Sequence, residues 1–207
     1  MTGSTSYQTP REQYRVRFTV QGSKFISTLA PAVSEDAARA VIETASGEFP
    51  DATHHAYAYR IGSGGDIIER SSDDREPSGT AGPPMLQVMQ GKNLSDAVVV
   101  ATRYFGGIKL GVGGLKRAYR DCARQAISAA NLILKEPFIK YRLKTSYEDY
   151  GAVTRLLESV EGKLVSVSYS ERVTLEVTMP LRQAEYFTAS FESTTRGRGA
   201  IQLIQCN

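Results

Sequence analysis

The stretch RYFGGIKLGVGGLKRAYRDCAR, residues 103–124, connects an apolar run to a glycine-rich loop and then to a basic helix. The preceding run, Ala97–Thr102, is almost wholly apolar and predicts a strand that is buried on both faces of a sheet. We expect the helix to start at Gly114 or Leu115 and to end near Asn131, with its free N–H groups toward the loop. Glycine permits positive φ and close approach to the main chain, so the stretch predicts an anion site.

Charge in this stretch is strongly one-sided, because six basic residues face one acidic residue, Asp121, and give a local balance of +5. Lys116, Arg120 and Arg124 are four residues apart and therefore share a helix face, with Arg117 beside them. The opposite face is apolar and is expected to pack inward, through Leu115, Ala118, Cys122, Ala126 and Ala129. A solvated charged face is the alternative, but the glycine loop and the scarcity of acidic partners favour anion binding. The predicted anion- or nucleic-acid-binding residues are Arg103, Gly106, Gly107, Lys109, Gly111, Gly113, Gly114, Lys116, Arg117, Arg120 and Arg124.

An acidic segment lies upstream, where residues 66–76 hold five acidic and two basic residues, a balance of −3. Asp73, Asp74 and Glu76 are clustered carboxylates of the kind that binds Mg²⁺. They also suit turn capping or pairing with Arg103 or Lys109, and we favour that interpretation. No metal ion and no cofactor is therefore predicted, and the glycine loop matches neither the Walker nor the dinucleotide pattern.

Further candidate site residues are two histidines, two hydroxyls and an aromatic residue. His54 and His55 lie in a predicted strand, Thr53–Ile61, so they point to opposite faces and at most one belongs to a site. Ser78 and Thr80 are loop hydroxyls without an identified base, which gives nucleophilic catalysis weak support. Tyr104 joins Tyr57, Tyr59, Phe105 and Tyr119 as aromatic residues that either stack on RNA bases or fill the core.

Composition places the chain among ordinary globular proteins, with 207 residues, 41% hydrophobic content and a net charge of +3. The N-terminus lacks the pattern of a secretory signal, and no apolar run is long enough to span a bilayer. Cys122 and Cys206 have no metal-ligand spacing, so a reducing cytoplasm is the expected location. Membrane binding and DNA specificity are not predicted.

Taken in order, the elements predict two domains, 1–136 and 137–207, with the boundary at Lys135-Glu136-Pro137. In the first, residues 1–12 are expected to be loose, a hairpin joins Tyr14–Val20 to Lys24–Leu29, and Ser34 caps a helix that ends near Ser46. Residues 62–84 form a long polar connection, and Met85–Gln90 is ambiguous between a helix and a turn. The second domain alternates as βαββαβ, the ferredoxin-like pattern, with its first strand reaching from Ile139 to Tyr147.

Three runs make the chain resemble the IMPACT/YigZ family. They are Pro50–His55, Ser72–Gly82 and Thr102–Tyr119, and the second and third are long and distinctive. Two positions depart from the family pattern, since Arg75 and Arg120 stand where that pattern has glycine. The resemblance implies an α+β fold: a ribosomal-protein-S5-domain-2-like N-terminal domain, followed by a ferredoxin-like βαββαβ C-terminal domain as in elongation factor G.

The resemblance also implies a link to regulation of translation. The leading hypothesis is a cytoplasmic, translation-associated protein whose glycine loop and basic helix bind RNA or a ribosomal surface. The alternative is a phosphate-ligand enzyme of kinase-like chemistry, in which Asp73 or Glu76 holds Mg²⁺ and Lys109 stabilises transferred charge. A third hypothesis is a protein-interaction module that docks a protein partner through the open sheet face carrying Lys140, Arg142 and Lys144.

Overall fold

The computed structural model of the chain describes residues 6–63 and 67–206. They form two compact units, the first spanning Tyr7–Lys135 and the second beginning at Glu136. Two apolar clusters fill the first unit and a third fills the second, with no residue in common between the units.

A five-stranded antiparallel sheet forms the frame of the first unit. Its order is β2 (Tyr14–Val20), β3 (Ser23–Pro31), β6 (Ala97–Tyr104), β4 (His54–Ile61) and β5 (Ile68–Ser72). Strand β6 lies at the centre, and its residues from Ala97 to Arg103 are all buried, as its apolar sequence predicts. It therefore delivers Arg103 and Tyr104 to the edge of the sheet where the glycine loop begins.

Three helices cover the two faces of this sheet. Helix α1 (Glu35–Glu48), capped by Ser34, packs with Val98 and Val100 of β6. Helices α2 (Gly82–Gly91) and α3 (Gly111–Ala129) pack with Val99 and Ala101, so they lie on the opposite face. A short two-stranded sheet, β1 (Tyr7–Pro10) with β7 (Leu132–Lys135), joins the two ends of the unit.

The first unit differs from the sequence prediction at several places. Residues 7–10 are not loose, because β1 pairs with β7 along its full length. The segment 62–84 is not wholly irregular, since β5 within it pairs with β4. The ambiguous segment 85–90 lies inside α2, and α1 runs two residues beyond Ser46.

The second unit is a four-stranded antiparallel sheet with two helices on one face. Its elements are β8 (Phe138–Thr145), α4 (Tyr147–Ser159), β9 (Lys163–Tyr169), β10 (Val173–Pro180), a 3₁₀ turn (Leu181–Gln183), α5 (Ala184–Thr194) and β11 (Ala200–Cys206). The strand order β11-β8-β10-β9 and the βαββαβ succession make this unit ferredoxin-like, as predicted. Tyr147 is the first helical residue rather than the end of a strand, because Ser146 caps α4 through Asp149 N–H.

Within the described ranges, no helix is both long enough and apolar enough to cross a membrane.

Candidate functional site

Helix α3 carries the basic face that the sequence predicts. It begins at Gly111, so Gly113 and Gly114 belong to its first turn rather than to the loop. Its inner side is buried through Leu115, Ala118, Cys122 and Ala126, whereas Ala129 is exposed, contrary to the prediction. The first turn holds no acidic residue and no side chain caps it, so the positive end of the helix dipole is not neutralised locally.

The four cations of this helix have few acidic partners. Across the described residues, Lys116 and Arg117 have no carboxylate within ion-pair distance. Arg120 donates a 3.2 Å hydrogen bond to the neutral Gln87 side chain, and Arg124 lies 3.5 Å from Asp121. We call Lys116, Arg117, Arg120 and Arg124 the α3 basic face; its net charge with Asp121 is +3.

The glycines of the loop and of the first turn of α3 differ in what requires the absence of a side chain. Gly106 packs directly on the hairpin turn between β2 and β3, where a Cβ would overlap the backbone of Gly22 and Ser23. Gly107 and Gly111 have φ of +87° and +68°, which side chains of L-residues rarely adopt. Gly113 is exposed, and a Cβ there would have only Arg117 Nη1 within 4 Å, at 3.9 Å, so its lack of a side chain is not required by packing.

Arg103 is not a surface cation, which corrects its assignment to the anion-binding set. Its residue is 4% exposed, and its Nη1 atom donates a 2.5 Å hydrogen bond to Glu76 Oε1. Its Nη2 atom donates to Ser23 Oγ at 3.1 Å, while its guanidinium lies between the rings of Phe25 and Phe105. Arg103 therefore ties the acidic segment to the start of the glycine loop.

Tyr119 completes this buried group from the inner side of α3. Its hydroxyl donates a 2.7 Å hydrogen bond to the same Glu76 oxygen. Burial, followed by the negative charge of Glu76, raises the pKa of Tyr119 well above its usual range. The phenol therefore stays protonated and serves as a donor, and it is not exposed for stacking on a ligand.

The other two carboxylates of the predicted cluster, Asp73 and Asp74, accept hydrogen bonds from backbone N–H groups. Asp73 accepts hydrogen bonds from the N–H groups of Gly79, Ala81 and Gly82, which precede and open α2. Asp74 accepts a 2.6 Å hydrogen bond from the N–H of His55. Among the described residues, no group of three or more His, Cys, Asp and Glu side chains is arranged to hold a metal ion. Turn capping and ion pairing, which the sequence favours, thus account for these residues.

The two histidines and Thr80 make hydrogen bonds that hold loops in place, and Ser78 does not take part in them. His54 donates from Nδ1 to the carbonyl oxygen of Asp74, and its Nε2 lies 3.8 Å from Glu76. His55 contacts Thr102 Oγ1 and the carbonyl oxygen of Phe49, so the two rings use different neighbours as the strand geometry predicts. Thr80 is buried and donates to the Pro77 carbonyl, whereas Ser78 is exposed.

Acidic and basic segments do meet in one pocket of about 350 Å³. Glu76 and Pro77 line one side, and Phe105, Lys109 and Gly111 line the other. Since Glu76 is buried and paired with Arg103, the exposed charge at this pocket comes from Lys109. The pocket lies next to the N-terminus of α3 and is continuous in sequence with the α3 basic face.

Sequence reasoning missed two partners of the site. Ser23 holds both Arg103 and the Gly106 N–H, and Asp51 accepts a 2.8 Å hydrogen bond from the Tyr104 hydroxyl. Both residues are separated from their partners by more than 50 positions. The sequence signal for these contacts is Gly22, the turn glycine before Ser23, because its backbone conformation brings the β2–β3 hairpin against the glycine loop.

On the second unit, the uncovered sheet face carries Lys140, Arg142 and Lys144, as the protein-interaction hypothesis requires. Glu176 pairs with Lys140 at 2.9 Å and with Arg142 at 2.7 Å. The hydrogen bond from Arg142, then that from Lys140, lowers the pKa of the half-buried Glu176 carboxyl. Two of the three cations thereby share one carboxylate, and the three cations with Glu176 keep a net charge of +2.

The fold and the site define a two-unit α+β protein in which a glycine loop and a basic helix precede a ferredoxin-like unit. The sequence model described as "Impact N-terminal domain" matches residues 21–127, and that described as "Elongation factor G C-terminus" matches residues 133–205. The chain belongs to the IMPACT family.

Relatives of the chain are similar over nearly its whole length. "IMPACT family member YigZ" of Escherichia coli is 36% identical over 186 residues, which cover 89% of this chain and 90% of that one. "IMPACT family member YvyE" of Bacillus subtilis is 33% identical over 197 residues. A solved structure titled "Crystal structure of an hypothetical protein" superposes with a TM-score of 0.66 at 33% identity and covers 99% of this chain. "Protein IMPACT" of Xenopus laevis is 34% identical over 113 residues, which make up 35% of that protein.

Proposed function

We propose that this protein binds RNA, as a translation-associated factor, through the α3 basic face and the adjoining glycine loop. The observation that carries the proposal is the surplus of cations on α3, where Lys116 and Arg117 have no carboxylate partner within the described residues. Cations that are not already paired are free to neutralise phosphates and release their counterions.

The extent of the face favours a polymer over one small anion. Lys116 and Arg124 are eight residues apart, which corresponds to about 12 Å along a helix. The uncapped first turn of α3 extends the positive potential to Lys109. A single phosphate group contacts far less than this length.

Exposed apolar side chains lie beside these cations. Phe105 is 47% exposed on the loop, where Ile108 is more than half exposed, and Val112 in the first turn of α3 is also more than half exposed. An exposed aromatic ring beside cations is the combination that binds unpaired bases. The RNA proposal therefore also accounts for apolar residues that the core does not use.

Kinase-like chemistry has less support from the geometry. The oxygens of Asp73 accept three backbone hydrogen bonds, and Glu76 is buried with Arg103 and Tyr119. Both carboxylates that this chemistry would assign to Mg²⁺ therefore already have structural partners.

The test compares RNA binding by the chain and by an Arg117→Ala/Arg120→Ala/Arg124→Ala variant. Fluorescence anisotropy with a labelled single-stranded RNA and a labelled hairpin, between 50 and 200 mM salt, measures affinity and its salt dependence. We expect the variant to lose at least about tenfold in affinity and its slope of log K against log salt to fall by about 2–3. The sites are solvent-facing and alanine favours helix, so folding should be preserved.

The matched control is Arg11→Ala/Arg39→Ala/Lys92→Ala, which removes the same charge from exposed positions elsewhere on the first unit. We expect this control to bind RNA like the unchanged chain. Full RNA affinity in the α3 variant, or an equal loss in the control, would overturn the proposal. Capture of a protein partner that survives nuclease and depends on Lys140, Arg142 and Lys144 of the second unit would favour the protein-interaction hypothesis instead.

A further inference from the structure

A second pocket, of about 420 Å³, lies at the β2–β3–β6 part of the first sheet. Its lining includes Arg17, Lys24, Phe49 and Tyr104. This volume lies within the range of small-molecule sites in proteins. None of the predicted anion-site glycines and none of the α3 cations lines it.

The charged lining of this pocket lies on the sheet face opposite α3. Lys24 is directly opposite Tyr104 in the β3–β6 pairing, and Arg17 is opposite Ile26. Residues opposite one another share a face, and Tyr104 has the same strand parity as Val98 and Val100, which pack with α1. The pocket therefore begins where the cover given by α1 ends, at Phe49.

The charge of the pocket suits an anion. Arg17 and Lys24 are exposed, and neither has a carboxylate within ion-pair distance in the part of the chain that the structure describes. The neighbouring Arg15 differs, since it pairs with Glu48 at 2.7 Å. No Asp or Glu is among the lining residues, so a bound phosphate would meet two unpaired cations and no carboxylate.

Two aromatic rings of the lining are held in place by neighbours. The Tyr104 hydroxyl donates a 2.8 Å hydrogen bond to Asp51, which lies outside the lining. The Arg15 guanidinium lies 5.2 Å from the centroid of the Phe49 ring. Rings that are fixed before binding lose little conformational entropy when a planar group stacks on them.

We propose that this pocket binds one nucleotide, with its phosphate between Arg17 and Lys24 and its base against Tyr104 and Phe49. The two cations bind the phosphate through charge-assisted hydrogen bonds. The aromatic rings supply a surface on which every base can stack. The nucleotide is either free or an unpaired residue of RNA, since both present the same chemistry. The inference does not depend on RNA binding by α3, because the two sites occupy opposite sheet faces.

The experiment titrates adenosine 5′-monophosphate into the ¹⁵N-labelled full chain and follows amide resonances. We expect saturable shifts centred on Lys24 and Tyr104. Arg17→Ala and Lys24→Ala should each weaken binding roughly tenfold, as loss of a charge-assisted hydrogen bond does. Tyr104→Leu should weaken it by a similar factor, whereas Tyr104→Phe, which keeps the ring, should bind nearly as well.

Three controls separate this site from others. Arg39→Ala, an exposed cation on α1, should leave the affinity unchanged, and so should the α3 triple variant even where it abolishes RNA binding. Inorganic phosphate and adenosine alone should each bind more weakly than the nucleotide. Equal affinity for phosphate alone, shifts confined to residues 105–112, or no saturation would overturn the proposal. Competition by a single-stranded oligoribonucleotide would identify the source as RNA, and its absence would identify a free nucleotide.

Discussion

At the scale of single residues, Glu76 links the acidic segment both to Arg103 at the end of β6 and to Tyr119 on α3. One of its oxygens accepts from both Arg103 and Tyr119, and the residue is 8% exposed. A buried carboxylate is costly unless it is paired, and removal of one partner leaves the other charge buried alone. The acidic segment and the glycine loop therefore depend on each other through this one oxygen.

We predict that Glu76→Ala lowers the free energy of unfolding by about 3–5 kcal/mol, because it strands the Arg103 guanidinium. Arg103→Met should also destabilise the chain, while the double variant should lose much less than the sum of the two. Urea denaturation measures all three, and Glu43→Ala at an exposed position of α1 should change stability by no more than about 0.5 kcal/mol. Additive losses in the double variant would show that the ion pair carries no coupling.

Arg75 illustrates a local conflict between sequence and backbone. Its φ is +67°, in the left-handed region that favours glycine. A left-handed conformation costs L-residues about 1–2 kcal/mol, and glycine avoids this strain. Glycine also loses more conformational entropy on folding, which offsets part of the gain in stability. We predict that Arg75→Gly raises the free energy of unfolding by about 0.5–1 kcal/mol in urea denaturation.

The matched control for that substitution is Arg70→Gly, which lies in the extended strand β5. Glycine in a strand lowers stability by about 0.5–1 kcal/mol, so the two substitutions should have opposite signs. A loss in both variants would mean that the contacts of Arg75 with Asp74 and with the Thr53 carbonyl outweigh the strain.

At the scale of elements, two glycines of one loop–helix segment have opposite environments. Gly106 lies against the backbone of the β2–β3 turn, whereas a Cβ at Gly113, in the first turn of α3, would only reach van der Waals contact with Arg117 Nη1. We predict that Gly106→Ala destabilises the first unit by several kcal/mol. The new Cβ would overlap the backbone of the β2–β3 turn, so the turn and the loop would have to move apart, and such overpacking is destabilising. Gly113→Ala should be neutral or stabilising by up to about 1 kcal/mol, since alanine is the better helix former. Thermal and urea unfolding of both variants check this difference, and similar losses at the two positions would contradict it.

Much of this segment could be predicted from sequence, including the pairing of Arg103 with the acidic cluster, but the burial of Arg103 could not. Strand β6, the inner side of α3 and the whole succession of the second unit follow from apolar periodicity. The start of α3 was placed three or four residues late, because the glycines at 113 and 114 resemble a loop although both adopt helical geometry. The burial of Arg103 needs Glu76, Ser23 and two phenylalanine rings to converge, and no local pattern encodes contacts across 27 and 80 positions. For the same reason, the cations Arg17 and Lys24 carry no signal until the sheet places them beside Tyr104.

At the scale of the whole molecule, Asp96 connects the ends of the first unit. Its carboxylate accepts hydrogen bonds from Tyr7, Lys135 and the Gly62 N–H. Burial by itself would raise the pKa of Asp96, but the hydrogen bonds from Lys135, Tyr7 and Gly62 outweigh it and lower the pKa. The carboxylate therefore stabilises the fold above the ordinary aspartate pKa of about 4, and this contribution is lost as pH falls through the lower folded value.

We predict that Asp96→Asn costs about 2 kcal/mol at pH 7, where the charged hydrogen bonds are intact. The difference in unfolding free energy between the variant and the unsubstituted chain should shrink as pH falls from about 5 toward 2. Over this range the Asp96 carboxylate of the unsubstituted chain becomes protonated and loses the charge that the variant already lacks. Urea denaturation across this range measures the difference, and Asp36→Asn, at an exposed carboxylate of α1, should show no such trend. A difference that stays constant with pH would exclude this linkage.

The pairing of β1 with β7 brings the two ends of the first unit next to each other. Tyr7 lies directly opposite Lys135, so the first and last residues of the unit are strand neighbours, about 5 Å apart at Cα. A unit whose entry and exit coincide can be inserted into, or joined onto, another chain without rearranging its interior. The same closeness makes the unit suited to circular permutation through a short linker between residues 135 and 7.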